Sequence, residues 1–184
     1  MLTILTNKPD LVSVDCKVAT TADDLSGGDT LIACCTGVIV SPEILARYRQ
    51  AYNIHPAPNT YPGRDPHHWA FYDGVKDYGV TLHRMTEKVD AGEIIKVIEF
   101  PITQNTPGEL RLEADRRAFD LLNAAAREIL SGQSPKPGSR VEWRGPKRTR
   151  RNLIAMCDFS NLSPEEVDRR KFAFQGFEAH FKEV

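Results

Sequence analysis

Two residue types able to steer an acyl transfer stand two apart in Tyr52-Asn53-Ile54-His55, directly before Pro56. If this segment is a strand, alternation puts Asn53 and His55 on one face. The proline, which cannot donate to a ladder, then ends the strand just after them. The carboxyl ends of strands are where open α/β sheets build ligand sites. A carboxamide beside an imidazole offers two donors to one point, provided the imidazole is protonated or in the matching tautomer. That pairing suits a developing oxyanion. A strand-end asparagine capping a turn beside an ordinary histidine is the alternative that spacing alone leaves open. Asp90, between Val89 and Ala91-Gly92, could orient a histidine and hold its proton. An aspartate in a turn before glycine is the plain alternative there.

The elements that must position these groups read as α/β. Leu2 to Thr6 and the apolar run Leu31 to Cys35 read as strands, the second buried on both faces. Ser41-Pro42-Glu43 reads as a helix start, with the helix running to about Arg49. Tyr52 to His55, Val80 to Met85 and Ile94 to Phe100 complete the strands. A short helix is expected around Pro66 to Tyr72, and Thr106-Pro107-Gly108-Glu109 opens a long one with Ala118, Leu122, Ala125 and Ile129 on its buried side. Ser163-Pro164-Glu165-Glu166 caps another. Strands alternating with helices imply a mainly parallel, Rossmann-like sheet flanked by helices. The expected division is a core over 1–132 and a small appendage, a hairpin plus a helix, over 133–184.

Composition bounds the function. The chain has 184 residues, 41% hydrophobic and 27% charged, with net charge -1. That suits one folded domain and argues against a protein that neutralises many phosphates, so no nucleic acid partner is expected. No apolar run approaches the ~20 residues of a membrane span. The start, MLTILTNKPD, does not read as an export signal, so a cytoplasmic setting and reduced thiols at Cys16, Cys34, Cys35 and Cys157 are expected. No metal site is read: His67 and His68 are adjacent and cannot face the same way on a helix.

The ordered segments Asn53-Ile54-His55-Pro56, Tyr61-Pro62-Gly63, Trp69-Ala70, Gly79-Val80-Thr81-Leu82-His83 and Val89-Asp90-Ala91-Gly92-Glu93-Ile94-Ile95 resemble the core of the folate-dependent formyltransferases. The match runs from about Leu31 to Phe100. The resemblance implies a formyl donor, 10-formyltetrahydrofolate, and an acceptor that is a primary amine. It implies a catalytic trio of Asn53, His55 and Asp90, with Asn53 and His55 as donors to the oxyanion and Asp90 holding His55. By the same analogy the folate sits against two loops: Gly37 with Val38, Ile39 and Val40, and Thr86, Glu87, Lys88 and Val89. His83 is read as a satisfied or supporting residue, and Trp69, Phe71 and Tyr72 as packing.

The sequence also departs from that family. About 25 residues before the Leu31 strand stand where the family usually carries several β-α units. The Gly-rich phosphate loop of the ribonucleotide enzymes is absent, and Ala57-Pro58-Asn59-Thr60 replaces the Ser-Leu-Leu-Pro frequent in the tRNA enzymes. Arg170 to Phe177 is similar to the end of the core in amino-sugar formyltransferases, so a nucleotide-linked amino sugar or another small amine is the expected acceptor. The basic stretch Arg140, Arg144, Lys147, Arg148, Arg150, Arg151 reads as a solvated hairpin or a subunit contact, as in a homodimer, or else as a grip on acceptor phosphates. A 10-formyltetrahydrofolate hydrolase and a non-catalytic folate-binding module remain as alternatives.

Overall fold

The computed structural model describes residues 1–138 and 141–182. Six strands form one sheet: β1 (Leu2–Leu5), β2 (Lys17–Ala19), β3 (Gly28–Cys34), β4 (Tyr48–His55), β5 (Asp77–Arg84) and β6 (Ile94–Pro101). Their order is β2-β1-β3-β4-β5-β6. The pairs β1–β2, β1–β3 and β3–β4 are parallel, and β5 alone runs against its neighbours. The expected α/β architecture is observed, and the short edge strand β2 is an addition that its few residues concealed.

Alternation sorts each strand between two faces. Ile32, Cys34, Tyr52, Ile54, Val80 and Leu82 pack against the long helix α3 (Pro107–Leu130), whose Leu110, Ala114, Ala118, Leu122 and Ala125 are buried at helical spacing. Thr106 caps α3, its hydroxyl accepting the Glu109 amide at 3.2 Å. The opposite face carries Leu31, Ala33 and Ala51, covered by Val38, Val40, Ile44 and Leu45. Asn53, His55, Thr81 and His83 belong to this second face by register, since Asn53 pairs with His83 and His55 with Thr81.

The helix expected from Ser41 to Arg49 is instead the single turn α1 (Pro42–Leu45). Ser41 does cap it, but parallel pairing of Gly28 with Tyr48 draws the following residues into β4. Sheet hydrogen bonds thus override a sound local start signal. Gly27, at φ 97°, permits the close approach: a side chain there would meet the Arg47 carbonyl at 2.9 Å.

After α2 (Pro66–Asp73) and α3, an extended strap over residues 141–149 crosses back to the sheet, followed by α4 (Arg150–Met156) and α5 (Pro164–Ala173). No hairpin forms in the basic stretch among the described residues, and Arg140 lies outside them. Thr149 and Asn152 form a reciprocal capping box that starts α4. Trp69 of α2 joins Leu153, Cys157, Ala173 and Phe174 in a second core, so Trp69, as expected, packs. Phe71 and Tyr72 lie against the same cluster. Arg148 and Arg150 are structural: the Arg148 guanidinium lies 4.1 Å from the Trp69 ring centre and 3.2 Å from Asp73, while Arg150 makes a two-bond fork with Asp65. All four cysteines are free thiols. Among the described residues no helix is long and apolar enough to cross a membrane.

Candidate active site

Asn53 and His55 project from the end of β4 onto the face away from α3. The antiparallel return of β5 sets His83 directly opposite Asn53. A register irregularity between Leu82 and His83 interrupts the β5–β6 ladder beside this point, a common device for re-aiming a side chain at a site. Asp90 arrives from the turn after β5 at φ 48°, a left-handed conformation that aspartate tolerates better than most residues. Gly92 completes the turn, and a Cβ there would come within 1.9 Å of the Arg84 carbonyl.

The four side chains form one connected cluster. His55 Nδ1 lies 3.7 Å from Asp90 Oδ2, and His83 Nε2 lies 3.5 Å from Asp90 Oδ1. Asn53 Nδ2 is 3.1 Å from His83 Nε2. His83 Nδ1 donates to the Arg84 carbonyl at 2.8 Å, so in the neutral ring Nε2 accepts from Asn53. His55 Nε2 donates to the Tyr61 carbonyl at 2.9 Å. Asp90 also accepts the Gly63 amide at 2.8 Å.

His55, His83 and Asp90 are buried, whereas Asn53 is half-buried. Burial pushes the Asp90 carboxyl up, but the two facing imidazoles, His55 first and then His83, and the Gly63 amide outweigh it, bringing the pKa to about 2. Asp90 is therefore an anion at any ordinary pH, set between two imidazoles. The cluster sets a carboxylate between two imidazoles, with the half-buried Asn53 amide beside them as a hydrogen-bond donor.

Sequence reasoning placed Asn53, His55 and Asp90 together; the structure sets His55 beside Asp90 and links Asn53 to Asp90 through His83. It assigned His83 a supporting part, and His83 does bridge Asn53 and Asp90. It missed Trp143. This indole packs near-perpendicular to His83 (centroids 4.9 Å apart) and edge-on to His55 (5.9 Å), with its N–H donating to the Gly92 carbonyl at 2.8 Å. No periodicity marks Trp143, because the contact is made by an irregular strap far along the chain.

The two loops expected to hold folate lie on this same face. Val38 and Val40 share an apolar cluster with Met85, the residue preceding Thr86, and with the small residues Ala33 and Ala51 around Asn53. Ile39 is 68% exposed and Val89 42% exposed, while Thr86, Glu87 and Lys88 are exposed as well. Bare aliphatic side chains on two loops and small residues on the strand between them fit a flat, partly apolar ring.

The family model for formyl transferase matches residues 17–118, more than half of the chain and all of the cluster except Trp143. The chain belongs to the formyl transferase family. A methionyl-tRNA formyltransferase of Lysinibacillus sphaericus is 32% identical over 141 residues, 75% of this chain and 41% of that protein. The chain thus spans well under half the length of that curated relative. Among solved structures, a 4-N formyltransferase from Francisella tularensis superimposes with TM-score 0.69 at 18% identity, covering 94% of this chain and 86% of its own. An N-formyltransferase from Helicobacter canadensis, solved with folinic acid and dTDP-3-aminofucose, gives TM-score 0.72 at 15% identity over 100% and 83%. These likenesses confirm the fold.

Proposed function

We propose that this formyl transferase family member moves the formyl group of 10-formyltetrahydrofolate to a primary amine. The observation that carries the reading is that Asn53, His55 and Asp90 belong to one cluster, Asn53 joined to Asp90 through His83 and itself only half-buried. The amine nitrogen bonds to the formyl carbon, and the carbonyl electrons move onto oxygen. Asn53 Nδ2 donates to that oxygen, and His55 exchanges the Tyr61 carbonyl for it. Asp90, 3.7 Å from Nδ1, keeps the His55 ring oriented. The tetrahedral species collapses by breaking the bond to folate N10, and the proton lost by the amine reaches N10 through His55 or a water. Val38, Ile39, Val40 and Thr86 to Val89 would hold the reduced pterin, the donor supplying the formyl group.

A nucleotide-linked amino sugar is the proposed acceptor. Solved neighbours of comparable length include a sugar N-formyltransferase from Shewanella and the Helicobacter canadensis N-formyltransferase with dTDP-3-aminofucose. Arg144 and Arg151 stay exposed on and just beyond the strap, where they could meet acceptor phosphates. A net charge of -1 gives little help to a tRNA acceptor. The test is incubation with 10-formyltetrahydrofolate and a panel of dTDP-amino sugars, methionyl-tRNA and simple amines, with mass spectrometry of the products. Formylated amino sugar, reduced about 10²–10³-fold in N53A, supports the reading. Formylated methionyl-tRNA alone would reassign the acceptor, and no formylated amine would reject transfer.

A further inference from the structure

Trp143 is a large side chain packed on the cluster that the reaction above does not use. Its placement is over-determined. Asn59 Nδ2 donates to the Glu142 carbonyl at 2.7 Å, and the Arg144 amide donates to the Asn59 carbonyl at 3.0 Å, so the residues either side of Trp143 are clamped. Further along, Lys147 Nζ donates to the Val89 carbonyl at 2.7 Å, and the Arg148 amide to the Pro62 carbonyl at 3.1 Å. The strap therefore ties the loop after β4 to the turn that carries Asp90. With the indole N–H committed to Gly92, the ring is fixed against both imidazoles.

The exposures say what this accomplishes. His55, His83 and Asp90 are 6%, 2% and 6% exposed, beneath a Trp143 that is only partly buried. Asn53, which pairs with His83 across the ladder, is only half-buried. Resting on the formyl-transfer reading, we propose that Trp143 is a positioning and selectivity residue. Its indole seals the His55–Asp90–His83 side against water, so that formyl transfer to an amine entering at Asn53 is favoured over hydrolysis. In the reaction it suppresses, a water oxygen bonds to the formyl carbon, the N10–C bond breaks, a water proton reaches N10, and formate leaves. Excluding water from a closing site is a recognised guard against such leakage.

The test uses the full chain, as wild type, W143A and W143F, with 10-formyltetrahydrofolate as the only substrate and formate as the readout. W143A is expected to release formate roughly 10-fold faster than wild type, and W143F to stay near wild type. In parallel, hydrogen exchange of the Gly63 amide, which donates to Asp90, reports the shielding without any turnover. Exchange should be faster in W143A and should hold in W143F. A folded W143A, shown by an unchanged circular dichroism spectrum, with unaltered formate release and amide exchange overturns the proposal. If no protein releases formate and none formylates an amine, the transfer reading fails. The amide exchange alone then decides whether Trp143 shields the cluster.

Discussion

The Gly63 amide donates to Asp90 Oδ2 at 2.8 Å, joining two loops separated by 27 positions in the chain. Gly63 sits at φ 102°, and a Cβ on it would lie 2.1 Å from the Arg148 carbonyl. Glycine is thus required twice at this position, for its backbone conformation and for the space it leaves. Gly63→Ala should cost about 1–3 kcal/mol in urea denaturation and should lower turnover, because the amide is pulled off Asp90. Wild-type stability and turnover in this variant would show that the contact with the strap is dispensable.

Asp90→Asn keeps the shape and removes the charge between the two imidazoles. Turnover is expected to fall by about 10²-fold or more, read from initial rates at saturating substrate. The same substitution has a stability signature. An aspartate of ordinary pKa about 3.9 when unfolded is brought to about 2 in the fold, by interactions with His55, His83 and Gly63 that overcome the effect of burial. Its contribution is whole above about pH 4 and is lost as pH falls through about 2, a limb of up to ~2–3 kcal/mol. D90N should flatten that limb in a series of urea midpoints measured between pH 5 and pH 2.

His67 gives a second acid limb in a different window. Burial first, then the neighbouring His68 and the Arg111 and Arg150 charges, push its pKa down from 6.5 to about 3. The unfolded chain therefore takes up a proton that the fold refuses between those values, and stability falls as pH drops below about 6.5. The slope is at most about 1.4 kcal/mol per pH unit for this group. His67→Gln should make stability less steep between pH 6.5 and 5, and equal slopes in variant and wild type would refute the assignment.

Arg148→Ala removes a guanidinium stacked on Trp69 and paired with Asp73. A loss of about 1–2 kcal/mol is expected by denaturant titration. Arg148→Lys should recover only part of it, because an ammonium lacks the planar group that lies on the indole. Full recovery by lysine would mean that charge alone matters there.

The parts of the site legible in the sequence are those governed by short-range rules. Strand alternation and Pro56 put Asn53 and His55 together, and the same alternation puts His83 with them. The capping signals at Thr106 and Ser163 stood. The signal at Ser41 gave only one turn, because the pairing of Tyr48 with Gly28 lies in the sheet and has no local mark. The strap failed differently. Its basic residues read as surface, yet Arg148 and Arg150 are held by Trp69, Asp73 and Asp65, partners set by tertiary packing. The capping box at Thr149 was present but weak, since Asn152 stands where glutamate or glutamine usually does. Trp143 owes its place to these ties and to nothing near it in sequence.

Asn53 and His83 face each other across the antiparallel β4–β5 ladder, whose alignment can change only in whole residues. A slip by one would turn His83 to the side packed on α3 and abolish its contact with Asn53 outright, with no graded loss. The excursion from Pro56 to Lys76 is tied down at points instead: its Tyr61 carbonyl meets His55 and its Gly63 amide meets Asp90. Insertions there can be absorbed only between those anchors, so the stretch beyond Gly63 has more freedom to vary in length than the stretch before it.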